Sequence, residues 1–145
     1  AQAEWNAEHI SIYLTVDDLS WLVKGGRLSK TAGFVGSALN VKPILTVNDK
    51  EIHSDGVVRG NKRVYSKLVD RMIDETADFT EQIYFISHVD QEENAKMTEK
   101  QLKEKKPNVT TMIFEFGAVL AAHIGVGGVA IAALNSKPET YIIPN

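Results

Sequence analysis

Residues 82–116 read QIYFISHV, DQEENAKMTEKQLKEKKP and NVTTMIFEF, and this stretch decides the fold of the 145-residue chain. Gln82 to Val89 and Asn108 to Phe116 are rich in β-branched and aromatic residues, which predicts two strands. Between them, Gln91 to Lys105 is polar with Glu and Lys at helical spacing, which predicts a solvated helix capped by Asp90. Because a helix that links two strands favours a parallel crossover, the stretch indicates a sheet with helices packed on it.

The segments on either side extend this sheet. The clearest helix is predicted from Asn61 to about Phe79, because its apolar residues recur at helical spacing. The polar turn Asn48-Asp49-Lys50 is typical of a hairpin, so the strands on its two sides are expected to pair antiparallel. A short helix is predicted to open at Asp17 or Asp18 and to stop at Gly25-Gly26, with Leu19, Leu22 and Val23 on one face. A further helix is predicted from Ser29 to Leu39. The remaining predicted strands are Ser11–Val16, Lys42–Val47, Glu51–Val58, Gly128–Leu134 and Tyr141–Ile143.

Together these elements predict an α/β (α+β-like) fold, a two-layer domain with a mixed, roughly six-stranded sheet covered by helices. With 145 residues and 43% hydrophobic composition, the chain fits one domain that buries a core without disulfides or metals. Ala1 to His9 looks like the tail of a helix, so we expect the chain to be a fragment of a longer protein.

The composition narrows the function. A net charge of -3 and a pI near 5.8 argue against nucleic-acid binding, since no basic run with interleaved aromatics is present. The longest apolar stretch, residues 117–134, contains a histidine and four glycines, so we expect no membrane insertion. The absence of cysteine excludes disulfides, thiolate metal sites and a cysteine nucleophile. It is also compatible with a reducing cytosol, and we expect a cytoplasmic protein.

The stretch most informative about function is Gly117-Ala-Val-Leu-Ala-Ala-His-Ile-Gly-Val-Gly-Gly128. His123 is the one titratable group in this apolar run, and three glycines follow it within five residues. Glycines permit a tight turn or the close approach of a ligand, and the imidazole offers a polar contact. The pattern equally fits a satisfied buried histidine beside a tight turn before a strand.

Two arginines stand at similar junctions. Arg27 lies between the glycine stop of one predicted helix and the start of the next, and Arg59 lies where a predicted strand meets a helix. A guanidinium beside free backbone amides is suited to an anion, although each arginine alone also fits a surface or capping role.

Common catalytic motifs are missing. Residues 125–130 match a loose dinucleotide pattern, but too little sequence follows to complete a βαβ unit. No phosphate-binding P-loop, serine-nucleophile elbow or zinc spacing of His9, His53 and His88 occurs. The sequence therefore predicts no catalytic residue and no metal site.

Five short motifs in this order resemble the C-terminal half of the DegV family of bacterial fatty-acid-binding proteins. The resemblance extends from about Ser11 to Leu134. The motifs are Val16-Asp-Asp-Leu19, Lys24-Gly-Gly-Arg-Leu-Ser29, Val41-Lys-Pro-Ile-Leu45, Val58-Arg-Gly-Asn-Lys62 and Ala122-His-Ile-Gly125.

The resemblance implies a carrier rather than an enzyme. Residues 1–145 would form a DegV-like C-terminal domain, and a long-chain fatty acid would lie between it and an N-terminal α/β domain that the chain lacks. A separate fatty acid kinase subunit would phosphorylate the bound carboxylate, and the chain itself would need no cofactor. The histidine that matches His123 helps to hold the carboxylate, and the arginines that match Arg27 and Arg59 lie around the pocket mouth.

The expected fatty-acid-binding residues are His123, Arg27, Ile124, Gly125, Leu28, Phe34 and Ile44, with Arg59 at the partner surface. Core packing is the alternative for Leu28, Phe34 and Ile44. The chain departs from the family pattern, which has proline, glycine, threonine and proline at the positions of Ala118, Ala121, Ile124 and Val126. The loss of a hydroxyl at Ile124 makes the expected head-group site more apolar.

Two other functions remain open from the sequence. The DegV fold resembles that of dihydroxyacetone kinases, so the chain could be an enzyme subunit with His123 bonded covalently to a small substrate, although no matching motif surrounds His123. It also fits an interaction domain whose lipid site is vestigial.

Overall fold

The computed structural model describes residues 2–26, 41–79 and 82–137. Within these ranges the chain alternates helices and strands. The elements are α1 (Gln2–Glu8), β1 (Ile10–Thr15), α2 (Ser20–Lys24), β2 (Val41–Asn48), β3 (Glu51–Arg59), α3 (Arg63–Glu75), β4 (Ile83–His88), α4 (Glu92–Lys105), β5 (Thr110–Glu115), α5 (Ala118–Ile124) and β6 (Val129–Leu134).

The strands form one six-stranded mixed sheet in the order β3-β2-β1-β6-β4-β5. Strands β4 and β5 pair in parallel across helix α4, as the strand–helix–strand stretch predicted, and the other neighbours are antiparallel. The predicted fold class, a mixed sheet of about six strands with helices, is confirmed.

The β2–β3 hairpin is also confirmed. Its two turn residues, Asp49 and Lys50, have φ values of 50° and 65°. Positive φ at both central residues is characteristic of a two-residue hairpin turn, whose twist matches that of the paired strands. The hairpin carries one irregularity, a register shift between Ile44 and Leu45.

Helices α3 and α4 cover one face of the sheet, here called the helical face. Val64, Leu68 and Met72 of α3 are fully buried because they lie four residues apart on one side of the helix. Ala95 and Leu102 of α4 join them. The strand residues of this core are Tyr13, Ile44, Tyr84, Ile86, Val129, Ile131 and Ala133.

The predicted ends of α3 and α4 differ from those in the structure. Helix α3 begins at Arg63 and ends at Glu75, whereas the prediction ran from residue 61 to 79. Asp90 does not cap α4, because it has a positive φ of 52° and the N-cap is Gln91. The Glu and Lys residues that recur at helical spacing on α4 form two ion pairs, with Nζ–Oε1 distances of 2.7 Å for Lys96 to Glu92 and for Lys103 to Glu99.

Helices α2 and α5 pack on the other face of the sheet, and only at one end of it. Leu22 of α2 and Ile124 of α5 are buried there against Leu14, Leu45 and Ala130. The sequence placed Val23 on the same face of α2 as Leu22. This prediction was wrong, because Val23 is 63% exposed. The predicted helix over 29–39 and strand over 141–143 lie outside the described residues. None of the described helices is long and apolar enough to span a bilayer.

Candidate functional site

Helix α5 presents His123 at its C-terminal end. The sequence predicted no helix here, but the Ala- and Leu-rich run forms one that begins after Gly117 and ends at Gly125. Gly125 ends the helix because its φ is 78°, a conformation that favours glycine. His123 therefore has a fixed position in the last helical turn, and its side chain is partly exposed.

Helix α2 contacts α5 and the residue that ends it at two points, one at His123 and one at Gly125. A side chain at Gly25 would begin 2.8 Å from Nδ1 of His123, so the imidazole edge lies directly on the α2 C-terminus. A side chain at Gly125 would begin 2.6 Å from Cδ1 of Trp21, so the indole lies on the backbone that follows the histidine. Glycine is needed at both positions for this close packing.

Asp17 packs on the turn between α5 and β6. A side chain at Gly127, whose φ is 99°, would begin 2.2 Å from the Asp17 carboxylate. Asp17 in turn forms an ion pair with Lys42 at the start of β2. Burial lowers the pKa of Lys42 from its usual range. Backbone bonds from Gly127 N to Val89 O (3.1 Å) and from Val89 N to Gly128 O (2.9 Å) complete the support.

An apolar sheet surface extends away from this end, and we call it the open face. Directly paired residues point to the same side of a sheet. Ile12 pairs with Ala132, Ala132 with Phe85, and Phe85 with Met112, so these four side chains form a row across four strands. No described helix covers this row, and Met112 is 53% exposed.

A second row on the open face lies nearer to His123. Leu14 and Ser87 both pair with Ala130, and Ser87 pairs with Phe114. Ala130 is buried, whereas Phe114 is 46% exposed. The second row is therefore covered by α2 and α5 at Leu14 and Ala130, and it is open at Phe114. The low point of the open face is Ala132, between Ile12 and Phe85.

The structure brings together only part of the predicted site. His123, Ile124 and Gly125 lie together, with Ile124 buried over Gly128. Ile44 packs instead into the core of the helical face, away from His123. Arg27, Leu28 and Phe34 lie outside the described residues.

Arg59 is exposed at the end of β3, an edge strand. Three strand intervals separate β3 from β6, which is about 14 Å at the usual strand spacing. Arg59 and His123 lie at the same end of the sheet because β1 and β3 end there and β6 begins there. Arg59 and His123 are therefore separated along the same end of the sheet.

Residue-level reasoning missed Trp21, Asp17 and Lys42 as parts of this region. The position of Trp21 could have indicated its role, since a tryptophan in a short helix beside two glycines is a candidate for packing on backbone. The remaining histidines lie elsewhere on the fold, and no group of residues suited to a metal ion occurs within the described ranges.

Comparison with known proteins identifies the family. The family model described as an uncharacterised protein of the DegV family matches residues 1–136. The chain belongs to the DegV family. A DegV domain-containing protein of Clostridium perfringens is 35% identical over 137 residues, which are 94% of this chain and 47% of that protein.

Solved DegV structures share the fold. A fatty acid binding DegV family protein from Streptococcus agalactiae superposes with a TM-score of 0.81 at 31% identity, over 94% of this chain and 48% of that one. A DegV protein of Ruminococcus gnavus, solved with vaccenic acid, superposes with a TM-score of 0.80 at 26% identity, over 90% of this chain and 47% of that one. The chain spans about half the length of these DegV relatives.

Proposed function

We propose that this chain binds a long-chain fatty acid, with the carboxylate at His123 and the acyl chain along the open face. One observation carries the proposal: the one histidine of the α5 region sits where two helices meet the end of an apolar, uncovered sheet surface. The fatty-acid-binding description of the Streptococcus agalactiae relative and the vaccenic acid in the Ruminococcus gnavus structure support it.

The shape of the open face suits an acyl chain. Ala132 of β6 forms a low floor, and Ile12 and Phe85 on the neighbouring strands rise beside it. Strand β6 begins directly after the turn that follows His123. A tail lying along β6 would therefore have its carboxylate near the imidazole.

The tail would supply most of the affinity. Burial of each CH₂ group contributes about 0.8 kcal/mol, so a sixteen-carbon chain contributes on the order of 10 kcal/mol before the losses of binding. The imidazole then mainly sets the orientation of the ligand, since one charge-assisted hydrogen bond contributes about 1.5 to 3 kcal/mol.

Full burial of such a tail requires a second surface. We assign that role to an N-terminal domain of the same protein, placed over the open face. Relatives about twice as long as this chain support this arrangement, as do the exposed apolar side chains. Those side chains are Trp21, Met112, Phe114, Val119 and Leu120, each at least 46% exposed.

Arg59 belongs to a basic surface that suits a partner protein. Arg59, Lys62 and Arg63 are exposed and form no ion pair with another described residue. With Val57, which is 51% exposed, Arg59 and Arg63 line a shallow cavity of about 350 Å³. We assign this surface to contact with a fatty acid kinase subunit, so the chain presents the lipid and does not react with it.

Two substitutions separate these roles. His123→Ala is expected to weaken fatty-acid binding by about 10- to 100-fold, because the carboxylate loses a charge-assisted hydrogen bond. Arg59→Ala is expected to leave binding within about twofold but to slow phosphorylation by the kinase subunit, since an exposed charge acts mainly on association. Titration calorimetry with palmitate and a kinase assay measure the two effects.

The role assignments would be contradicted if Arg59→Ala weakened binding and His123→Ala did not. If neither substitution changes binding or phosphorylation, the chain is better described as an interaction domain with a vestigial lipid site. Lys100→Ala, an exposed lysine of α4 on the helical side, is the matched control for loss of a surface charge.

A further inference from the structure

We infer that Gly25 is a positioning residue for His123: it lets the Nδ1–Cε1 edge of the imidazole lie against α2 and leaves Nε2 to donate to the ligand carboxylate. This inference rests on the proposed function and specifies the atom through which it works.

The orientation of the ring follows from the atoms nearest to Gly25. From the position that a side chain at Gly25 would take, Nδ1 of His123 is 2.8 Å away and Cε1 is 3.6 Å away. Ordinary contacts of a side-chain carbon begin at about 3.4 Å, so the imidazole edge occupies the place where that carbon would be. Nε2 lies on the far side of Cε1 and is the ring nitrogen directed away from Gly25.

The backbone itself does not require glycine at this position. Gly25 has φ and ψ of -75° and -5°, which every L-residue adopts readily. Its amide donates to Trp21 O at 3.0 Å in an ordinary helix-end bond. The obstacles to a side chain are therefore the His123 ring and the Trp21 carbonyl, which is 3.3 Å from the side-chain position.

Trp21 limits how far the ring can move away. Its indole lies on Gly125, two residues beyond His123, and Lys24 Nζ lies 5.7 Å from the indole ring centre in a cation–π contact. Because α2 holds α5 at Gly25 and at Gly125, a side chain at Gly25 has to turn the imidazole rather than shift the helix. Turning the ring moves Nε2 away from the position we assign to the carboxylate.

Gly25→Ala tests the inference against Gly117→Ala. Gly117 has φ and ψ of -61° and 157°, and a side chain there meets open space, so it is a control for the added methyl group. The test uses the natural full-length protein that carries these residues, with palmitate as the probe. We expect Gly25→Ala to weaken binding about tenfold or more and Gly117→Ala to stay within about twofold.

Two further measurements separate positioning from a general loss of structure. In a His123→Ala background, Gly25→Ala is expected to have no additional effect on affinity, because no imidazole remains to be turned. In the wild type, ¹⁵N spectra of the histidine rings are expected to show a shift at Nε2 of His123 when palmitate binds, with Nδ1 much less affected. The spectral test needs no variant, so it stands even if Gly25→Ala folds poorly.

Each outcome has a distinct meaning. Gly25→Ala binding as tightly as Gly117→Ala, an additive effect in the double variant, or a ligand shift at Nδ1 would overturn the inference while leaving fatty-acid binding intact. A wild type that binds no palmitate would instead overturn the proposed function.

Discussion

At the scale of single residues, the site depends on glycines that touch side chains from other elements. Gly127 combines a φ of 99° with the Asp17 carboxylate 2.2 Å from where a side chain would begin. Gly127→Ala is therefore expected to lower the free energy of unfolding by about 1 to 3 kcal/mol, because it strains the backbone and displaces Asp17. Urea denaturation measures the change.

Gly117→Ala is again the comparison, since its φ is ordinary and its surroundings are open. We expect it to cost about 1 kcal/mol or less, which is the preference for glycine over alanine at an N-cap without any added backbone strain or contact. Equal losses for the two variants would show that the Asp17 contact and the positive φ do not matter.

The sequence predicted some of these residues and not others. His123 was recognisable because it is the one titratable group in an apolar run. The contacts of Gly25 and Gly125 were not, because they join residues about one hundred positions apart. Local spacing carries no information on which side chain fills the space that a glycine leaves.

At the scale of elements, a hydrogen bond ties strand β1 to helix α3. The Tyr13 hydroxyl is buried and donates to Glu75 Oε1 at 2.5 Å. Burial, and then the hydrogen bond and negative charge of Glu75, raise the pKa of Tyr13 above its usual value. The folded state therefore holds this proton more tightly than the unfolded chain does.

This difference predicts a loss of stability at alkaline pH. The contribution of Tyr13 is fully present below the unfolded pKa of about 10 and is lost as the pH rises towards the folded pKa. Tyr13→Phe is expected to be less stable by about 1 kcal/mol near pH 7, and to lose less stability than the wild type above pH about 10. Urea midpoints across this range measure both effects.

Tyr65 serves as an internal reference, since burial raises its pKa as well and it stays in both proteins. Stability curves of wild type and Tyr13→Phe that remain parallel above pH about 10 would show that Tyr13 does not hold its proton more tightly in the folded state.

The elements themselves were largely predictable from periodicity. The β2–β3 hairpin and the β4–α4–β5 unit appeared as predicted because their turn chemistry and patterning agree with the tertiary structure. Helix α5 was missed because it is only seven residues long, and its glycines and histidine favoured a loop. Its contact with α2 on the sheet stabilises a helix that would be marginal alone.

At the scale of the whole molecule, the two sheet faces differ. The helical face is covered by α3 and α4, whereas the open face keeps Phe85, Met112 and Phe114 partly or largely exposed. Isolated exposed apolar residues are normal, but a continuous row across four strands indicates an interaction site. The sequence predicted both layers of secondary structure, but not which face would be open, because that depends on how the elements pack.

We propose that this apolar face and His123 together hold a fatty acid. Native mass spectrometry of the natural full-length protein, followed by lipid identification after denaturation, tests it most directly. We predict a mass increase that corresponds to one fatty acid per protein, with the adduct lost on denaturation and reduced in His123→Ala. A protein that carries no lipid, and takes up none when incubated with excess palmitate, would contradict the claim.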